Sequence, residues 1–236
     1  KQTSNVLAKL LDVCKGMIFS MLESISLYIG KQNLLLSNQI TTLSTPLKRM
    51  LVEMGINEED IEYISTGVDT DFFQPVSVEE KMALRKELSL PENEKLILSI
   101  GRFVPKKGLD IFIGAADPDF QLLLVSRGNF EPYLKNANGK VLIIDPIPQE
   151  RLKKIYQACD IFVLAAAGED VFSLVLMEAM ACGLPVITSN DPFYLNYVDG
   201  DNMMLVEPTS ETIRENIKKI INNPDLASQM AHYSRS

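Results

Sequence analysis

The sequence predicts an α/β protein built on a doubly wound, Rossmann-like parallel sheet. Three observations lead there. Short runs such as LILSI at 96–100, QLLLV at 121–125 and IFVLA at 161–165 are apolar on both faces, the pattern of a parallel sheet covered by helices on each side. Segments with helical spacing separate these runs, so strand and helix alternate along the chain. At 236 residues, with 46% hydrophobic and 23% charged content, the chain is long enough to bury one good core or two small ones.

Taken in order, residues 4–29 carry apolar side chains at helical spacing and predict one or two opening helices. The most apolar part, 17–29, is broken by Ser20, Glu23, Ser24 and Ser26, and is too short and too polar to span a bilayer. Its face carries few cations, which favours a core-packed helix over one lying on a membrane surface. Leu34-Leu35-Leu36 reads as a short strand. Thr45-Pro46 opens a helix with proline at its first position, and Gly55 closes it. Residues 61–64 read as a strand. The irregular stretch STGVDTDFFQP, 65–75, reads as a linker, dividing the chain into 1–68 and 69–236.

Beyond the linker, Ser77-Val78-Glu79-Glu80 is a capping-box start for a helix ending near Leu88. Strands are then expected at 95–100, 120–126, 140–144, 160–164, 185–188 and 203–206. Helices are expected at 108–116, 130–137, 148–159, 171–182, 193–198 and 209–222. Sheets of this kind bind ligands beyond the carboxyl ends of their strands, so the loops there are the place to look for chemistry.

Composition narrows the function. A formal net charge of −8 argues against a nucleic-acid partner, because phosphate backbones need a cationic surface. Cys14, Cys159 and Cys182 fit no metal or redox spacing. The last two lie in apolar surroundings and read as buried free thiols, suited to a reducing cytosol. The single histidine, His232, rules out a multi-histidine metal site. No segment has the basic, apolar and small-residue pattern of a secretory signal.

Two segments carry the chemistry. The first is Gly101-Arg102-Phe103-Val104-Pro105-Lys106-Lys107-Gly108, directly after a strand. Gly101 is expected to let the backbone turn tightly, and Arg102 and Lys107 together suit a diphosphate. The second is DVFSLVLMEAMACGLP, 170–185, with one charge inside its predicted helix, Glu178. Asp170 stands where an N-cap belongs and Gly183 where a left-handed C-cap is favoured. Amides at the helix start are an anion site, and Glu178 lies roughly 10 Å further along the axis from Val171. Such a buried carboxylate is costly unless something binds it. It either accepts ligand hydroxyls or pairs with a lysine or arginine, and the segment alone leaves both open. Asp69-Thr70-Asp71 matches an Asp-x-Asp metal motif but lies in the linker, away from any strand end, and no metal is expected there. Asp117-Pro118-Asp119 is read as a turn.

The combination of GRFVPKKGLD, 101–110, with DIFVLAAAGEDVFSLVLMEAMACGLPVI, 160–187, resembles the retaining GT-B glycosyltransferases of family 4, the glycogen-synthase-like group 1 enzymes. That family carries a Gly-Arg…Lys-Gly loop and two acids with seven residues between them, here Asp170 and Glu178. GVDTDFFQP resembles its linker, and LIIDPIPQERLKKIYQACDIF its base-side loop and following helix. The likeness runs from about 34 to 224, mainly over the family's C-terminal donor-binding domain.

The resemblance implies a nucleotide-diphosphate sugar as donor, transfer with retention of configuration, and no divalent metal or other cofactor. Arg102 and Lys107 would hold the diphosphate with Gly101 at the turn, and amides near Ser173, Leu174 and Val175 would share its charge. Asp170, with Phe172 beside it, would touch the transferred sugar. Glu178 would accept the ribose hydroxyls, and Ile147 and Pro148 would flank the base. Residues 1–68 would then be the helical and βα tail of an acceptor-side domain, with a missing segment or second chain supplying the rest. The acceptor, a saccharide or a lipid-linked one, is not specified. A cytoplasmic enzyme is expected, with peripheral association to the inner face of a membrane left open. The alternative is a nucleotide-sugar-binding module without transfer activity.

Overall fold

The computed structural model describes residues 26, 28–64, 67–166, 173–191, 194 and 203–234. The chain divides into two compact units, Lys1–Ser65 and Thr66–Ser236.

In the first unit, helix α1 covers residues 28–35. Leu34 and Leu35, expected in a strand, lie in its last turn. Three leucines in a row read as strand by hydrophobicity, but leucine is also a strong helix former. The strand comes later, where β-branched residues cluster: β1, Ile40–Thr42, pairs in parallel with β2, Ile61–Tyr63. Between them α2, Thr45–Glu53, starts at Ser44, whose side chain accepts from the Leu47 amide, with proline in the first turn. Ile40, Leu51, Ile56 and Ile61 form this unit's small core.

The second unit is a six-stranded parallel sheet with helices on both faces. Its strands are β3, Leu96–Ile100; β4, Gln121–Val125; β5, Lys140–Ile144; β6, Ile161–Leu164; β7, Val186–Ser189; and β8, Met204–Val206. Their spatial order is β5-β4-β3-β6-β7-β8, which is the doubly wound arrangement. Its helices are α3, Val78–Glu87; α4, Leu109–Gly114; α5, Glu131–Leu134; α6, Gln149–Ala158; α7, Leu174–Ala181; α8, Ser210–Ile221; and α9, Pro224–Tyr233. The doubly apolar reading of the central strands holds: β3, β4, β6 and β7 are buried along their whole length. Leu96, Leu98 and Ile100 face a core shared with α6 and α7. Ile97 faces the opposite core, shared with α4 and α8.

The capping box at Ser77 and Glu80 is present in both directions. At the amino ends of the strands Asp160 ties α3 to the sheet. Its carboxylate accepts from the Arg85 guanidinium at 2.6 Å, from the Leu96 amide at 2.8 Å and from Lys81 at 3.4 Å. Burial opposes ionisation of Asp160, but Lys81, the Leu96 amide and Arg85 outweigh it and hold the carboxyl below its usual value. Asp117 accepts from the Asp119 amide in the expected turn. Cys159 and Cys182 are buried and form no disulfide.

One further expectation needs correction, one helix went unpredicted, and some expectations fall outside the described residues. Helix α7 begins at Leu174 rather than Val171, with Ser173 at its N-cap position; an unbroken apolar run reveals where a helix lies but not where it starts. Asp170, expected as the N-cap, lies outside the described residues. Helix α9 was not foreseen, although Asn223-Pro224 is a start signal and the Asn223 side chain accepts from the Leu226 amide. His232 is exposed in its last turn. The helices expected at 4–29 and 193–198 fall wholly or largely outside the described residues.

Candidate functional site

Strand order reverses between β3 and β6, which are neighbours although β4 and β5 lie between them in sequence. A crevice opens beyond the carboxyl ends at such a switch point. The loop after β3 is the Gly101–Gly108 segment, and the segment after β6 leads into α7.

Gly108, not Gly101, is the glycine the loop requires. Its φ is +60°, and a β-carbon there would lie 2.0 Å from the Ala165 carbonyl oxygen. The loop therefore returns against the end of β6, with only backbone between them. At Gly101 a β-carbon would rest 3.8 Å from the Lys107 stem, an ordinary contact, so the tight turn expected there is not what constrains that position. A 3-10 turn, Pro105–Lys107, presents Lys107 next to Gly108. Arg102 is exposed and Lys107 half-buried. Phe103 anchors the loop from the other side. Its ring meets Phe130 at 4.6 Å and Tyr133 at 5.2 Å, both edge-on. Gly128 packs against Phe103, and a β-carbon there would lie 2.7 Å from the Phe103 Cβ.

Helix α7 starts after β6, with Ser173 at its N-cap position. Ser173 is buried and its hydroxyl has no hydrogen-bond partner among the described residues. The first-turn amides of a helix have no intrahelical partner and carry the positive end of its dipole. Leu174 and Glu178 follow one turn apart on one face. They line a cavity of about 300 Å³ with Gly67, Val68, Asp69, Phe72, Phe73, Gln149 and Glu150. Its walls are thus the first turn of α6, the first two turns of α7 and the 67–73 segment.

The two readings of Glu178 are now distinguishable. Glu178 is 8% exposed, and its partners among the described residues are neutral. The Tyr156 hydroxyl donates to Oε2 at 2.7 Å, and the Gln149 side chain also hydrogen-bonds it. Among the described residues no lysine or arginine pairs with it, so the ion-pair alternative is corrected. Burial raises the Glu178 carboxyl above its usual value, and the Tyr156 and Gln149 bonds oppose that rise.

Of the predicted residues, Leu174 and Glu178 line the cavity. Gly101, Arg102 and Lys107 do not; they lie in the loop after β3. Ser173 and Val175, at the start of α7, do not line it either. Ile147 packs against the core and Pro148 precedes the first turn of α6, so neither lines the cavity; the next two residues, Gln149 and Glu150, do. Asp170 and Phe172 are outside the described residues. Asp69, from the Asp-x-Asp match, uses one carboxylate oxygen to accept from the Asp71 and Phe72 amides at 3.0 and 2.9 Å. That is turn chemistry. Tyr156, Gln149, Phe72 and Phe73 escaped the sequence reading. No spacing rule connects a tyrosine on one helix to a glutamate on the next.

Known proteins bear on this architecture. The family model "Glycosyl transferases group 1" matches residues 80–236. A D-inositol 3-phosphate glycosyltransferase of Corynebacterium aurimucosum is 30% identical over 203 residues, which is 77% of this chain and 48% of that protein. The chain spans less than half the length of the curated relatives it matches. Among solved structures, sucrose-phosphate synthase from Thermosynechococcus elongatus superposes with a TM-score of 0.75 at 26% identity, over 90% of this chain and 56% of that one. Anabaena HepE, solved in complex with UDP-glucose, superposes with a TM-score of 0.73 at 20% identity, over 84% of this chain and 58% of that one, which shows the shared fold. With the family model covering two thirds of the chain and the doubly wound sheet that these structures share, the chain belongs to the group 1 glycosyl transferases.

Proposed function

We propose that this chain is the donor-binding half of a retaining glycosyltransferase, which transfers a sugar from a nucleotide-diphosphate sugar without a divalent metal. The observation that carries this is Glu178, a buried carboxylate with neutral partners on the wall of a cavity beside helix starts. A protein does not keep such a group for stability, and it suits a ligand rich in hydroxyls. HepE's complex with UDP-glucose supports a donor of this class.

Transfer breaks the bond from sugar to diphosphate, and negative charge grows on the departing oxygen. Cations and amides already in place lower that barrier. In this reading Arg102 and Lys107 hold the diphosphate and Ser173, Leu174 and Val175 share its charge. Asp170 touches the sugar, Glu178 takes the ribose hydroxyls, and Ile147 and Pro148 flank the base. The unit Lys1–Ser65 is the end of an acceptor-side domain, whose acceptor is a saccharide or a lipid-linked sugar.

The test is thermal denaturation of the full chain with UDP-glucose, GDP-mannose and UDP-N-acetylglucosamine, followed by donor hydrolysis with and without EDTA. A donor at about 100 times its Kd should raise Tm by about 5–10 °C, and EDTA should leave hydrolysis unchanged. No stabilisation by any donor at millimolar concentration refutes the reading, and loss of hydrolysis in EDTA refutes metal independence.

A further inference from the structure

Tyr156 plays no part in the roles assigned so far, yet it is among the largest fully buried side chains. Its ring lies between Phe73, at 5.9 Å, and Phe162, at 6.0 Å. Phenylalanine would fill that space as well, so packing does not account for the hydroxyl. A buried phenol needs a polar partner. The oxygen lies 2.7 Å from Glu178 Oε2 and 3.3 Å from the Val175 carbonyl. It has one proton to give, and the carboxylate is the nearer and stronger acceptor.

An ionised carboxylate offers about four acceptor sites. Tyr156 and Gln149 take two and leave the others for a ligand in the cavity. We infer that Tyr156 is a positioning residue of the donor site, its hydroxyl holding Glu178 Oε2 so that the carboxylate is turned to accept the ribose hydroxyls. This rests on the reading of Glu178 given above. Other titratable groups nearby are Asp69 and Glu150, which line the cavity, Cys159 and Cys182 beside the tyrosine, and Lys153, whose ammonium sits over the Phe72 ring at 4.7 Å. Burial, then the Glu178 charge, pushes the Tyr156 phenol well above its usual value, so it stays a donor at any working pH.

The test is Tyr156→Phe in the full chain, with UDP, GDP and their 2′,3′-dideoxy counterparts titrated calorimetrically from pH 5 to 8. The variant should bind the ribonucleotide about tenfold more weakly than wild type and the dideoxy form equally well. Its affinity should also begin to fall at a higher pH as the solution is acidified, because a carboxylate without that donor takes up a proton more readily. Adding Glu178→Gln should then cost no more than Glu178→Gln alone. If the variant does not fold, 3-fluorotyrosine at 156, a more acidic phenol and stronger donor, should move the fall to lower pH. Unchanged discrimination and an unchanged pH profile overturn the inference, as does an equal loss for both ligand forms. If wild type binds neither ribonucleotide, or does not distinguish either from its dideoxy form, the reading of Glu178 fails and this inference with it.

Discussion

Replacing Glu178 with glutamine separates a ligand role from a structural one, because the two move stability in opposite directions. Glu178 is 8% exposed, and burial raises its carboxyl pKa above the ordinary 4.5. A folded value above the unfolded one means that the native state holds the proton more tightly. Stability from this group is then fully present below about pH 4.5 and lost as pH rises through the folded value. Glutamine keeps the shape and the acceptor for Tyr156 but does not titrate. At pH 8 Glu178→Gln should therefore be more stable than wild type, by about 1 kcal/mol or ~2–4 °C in Tm, with the difference shrinking towards pH 4.5. Nucleotide affinity should fall, since a hydrogen bond to a charged acceptor is worth about 1.5–3 kcal/mol, or roughly 10–150-fold in Kd. Calorimetric melts at both pH values and titration with UDP and GDP measure the two effects. A variant that melts well below wild type at pH 8 with unchanged affinity would refute the reasoning and restore Glu178 to a structural role.

Lys107→Ala should lower the turnover of donor hydrolysis by about 100-fold or more, with a smaller change in KM, as loss of a preorganised leaving-group donor does; steady-state kinetics decide, and an effect on KM alone counts against that role. Asp160→Ala leaves Arg85 buried at 4% exposure without its carboxylate, and should cost about 3–5 kcal/mol in a urea melt at pH 7. Asp160 is held below its usual 3.8, so its contribution is present above that value and lost as pH falls through the folded one; the gap between variant and wild type should close in acid. Gly108→Ala should cost about 2 kcal/mol or more, from left-handed strain and the 2.0 Å approach to Ala165. Gly101→Ala should stay within about 0.5 kcal/mol, and equal costs at the two glycines would show that the loop does not rest on β6.

How far the sequence reaches can be read from particular residues. Doubly apolar strands can only be buried between two helix layers, so LILSI, QLLLV and IFVLA were enough to predict the sheet, its burial and its doubly wound class. The capping box at Ser77 and the opening of α2 were equally legible, because caps are local chemistry. Local pattern was insufficient where helix and strand formers coincide, as at Leu34 and Leu35. It was also insufficient where an apolar run hides a helix start, as before Leu174. In the site, the sequence singled out Glu178 and the Arg102–Lys107 loop as candidates, since an isolated charge in an apolar helix and paired cations after a strand stand out in one dimension. What partners Glu178, which glycine the loop turns on and which residues wall the cavity were decided by the tertiary structure alone. The contacts from Tyr156 to Glu178, Gly108 to Ala165 and Phe103 to Gly128 join residues 22 to 57 positions apart. Their energies depend on distances that exist only once the sheet has formed.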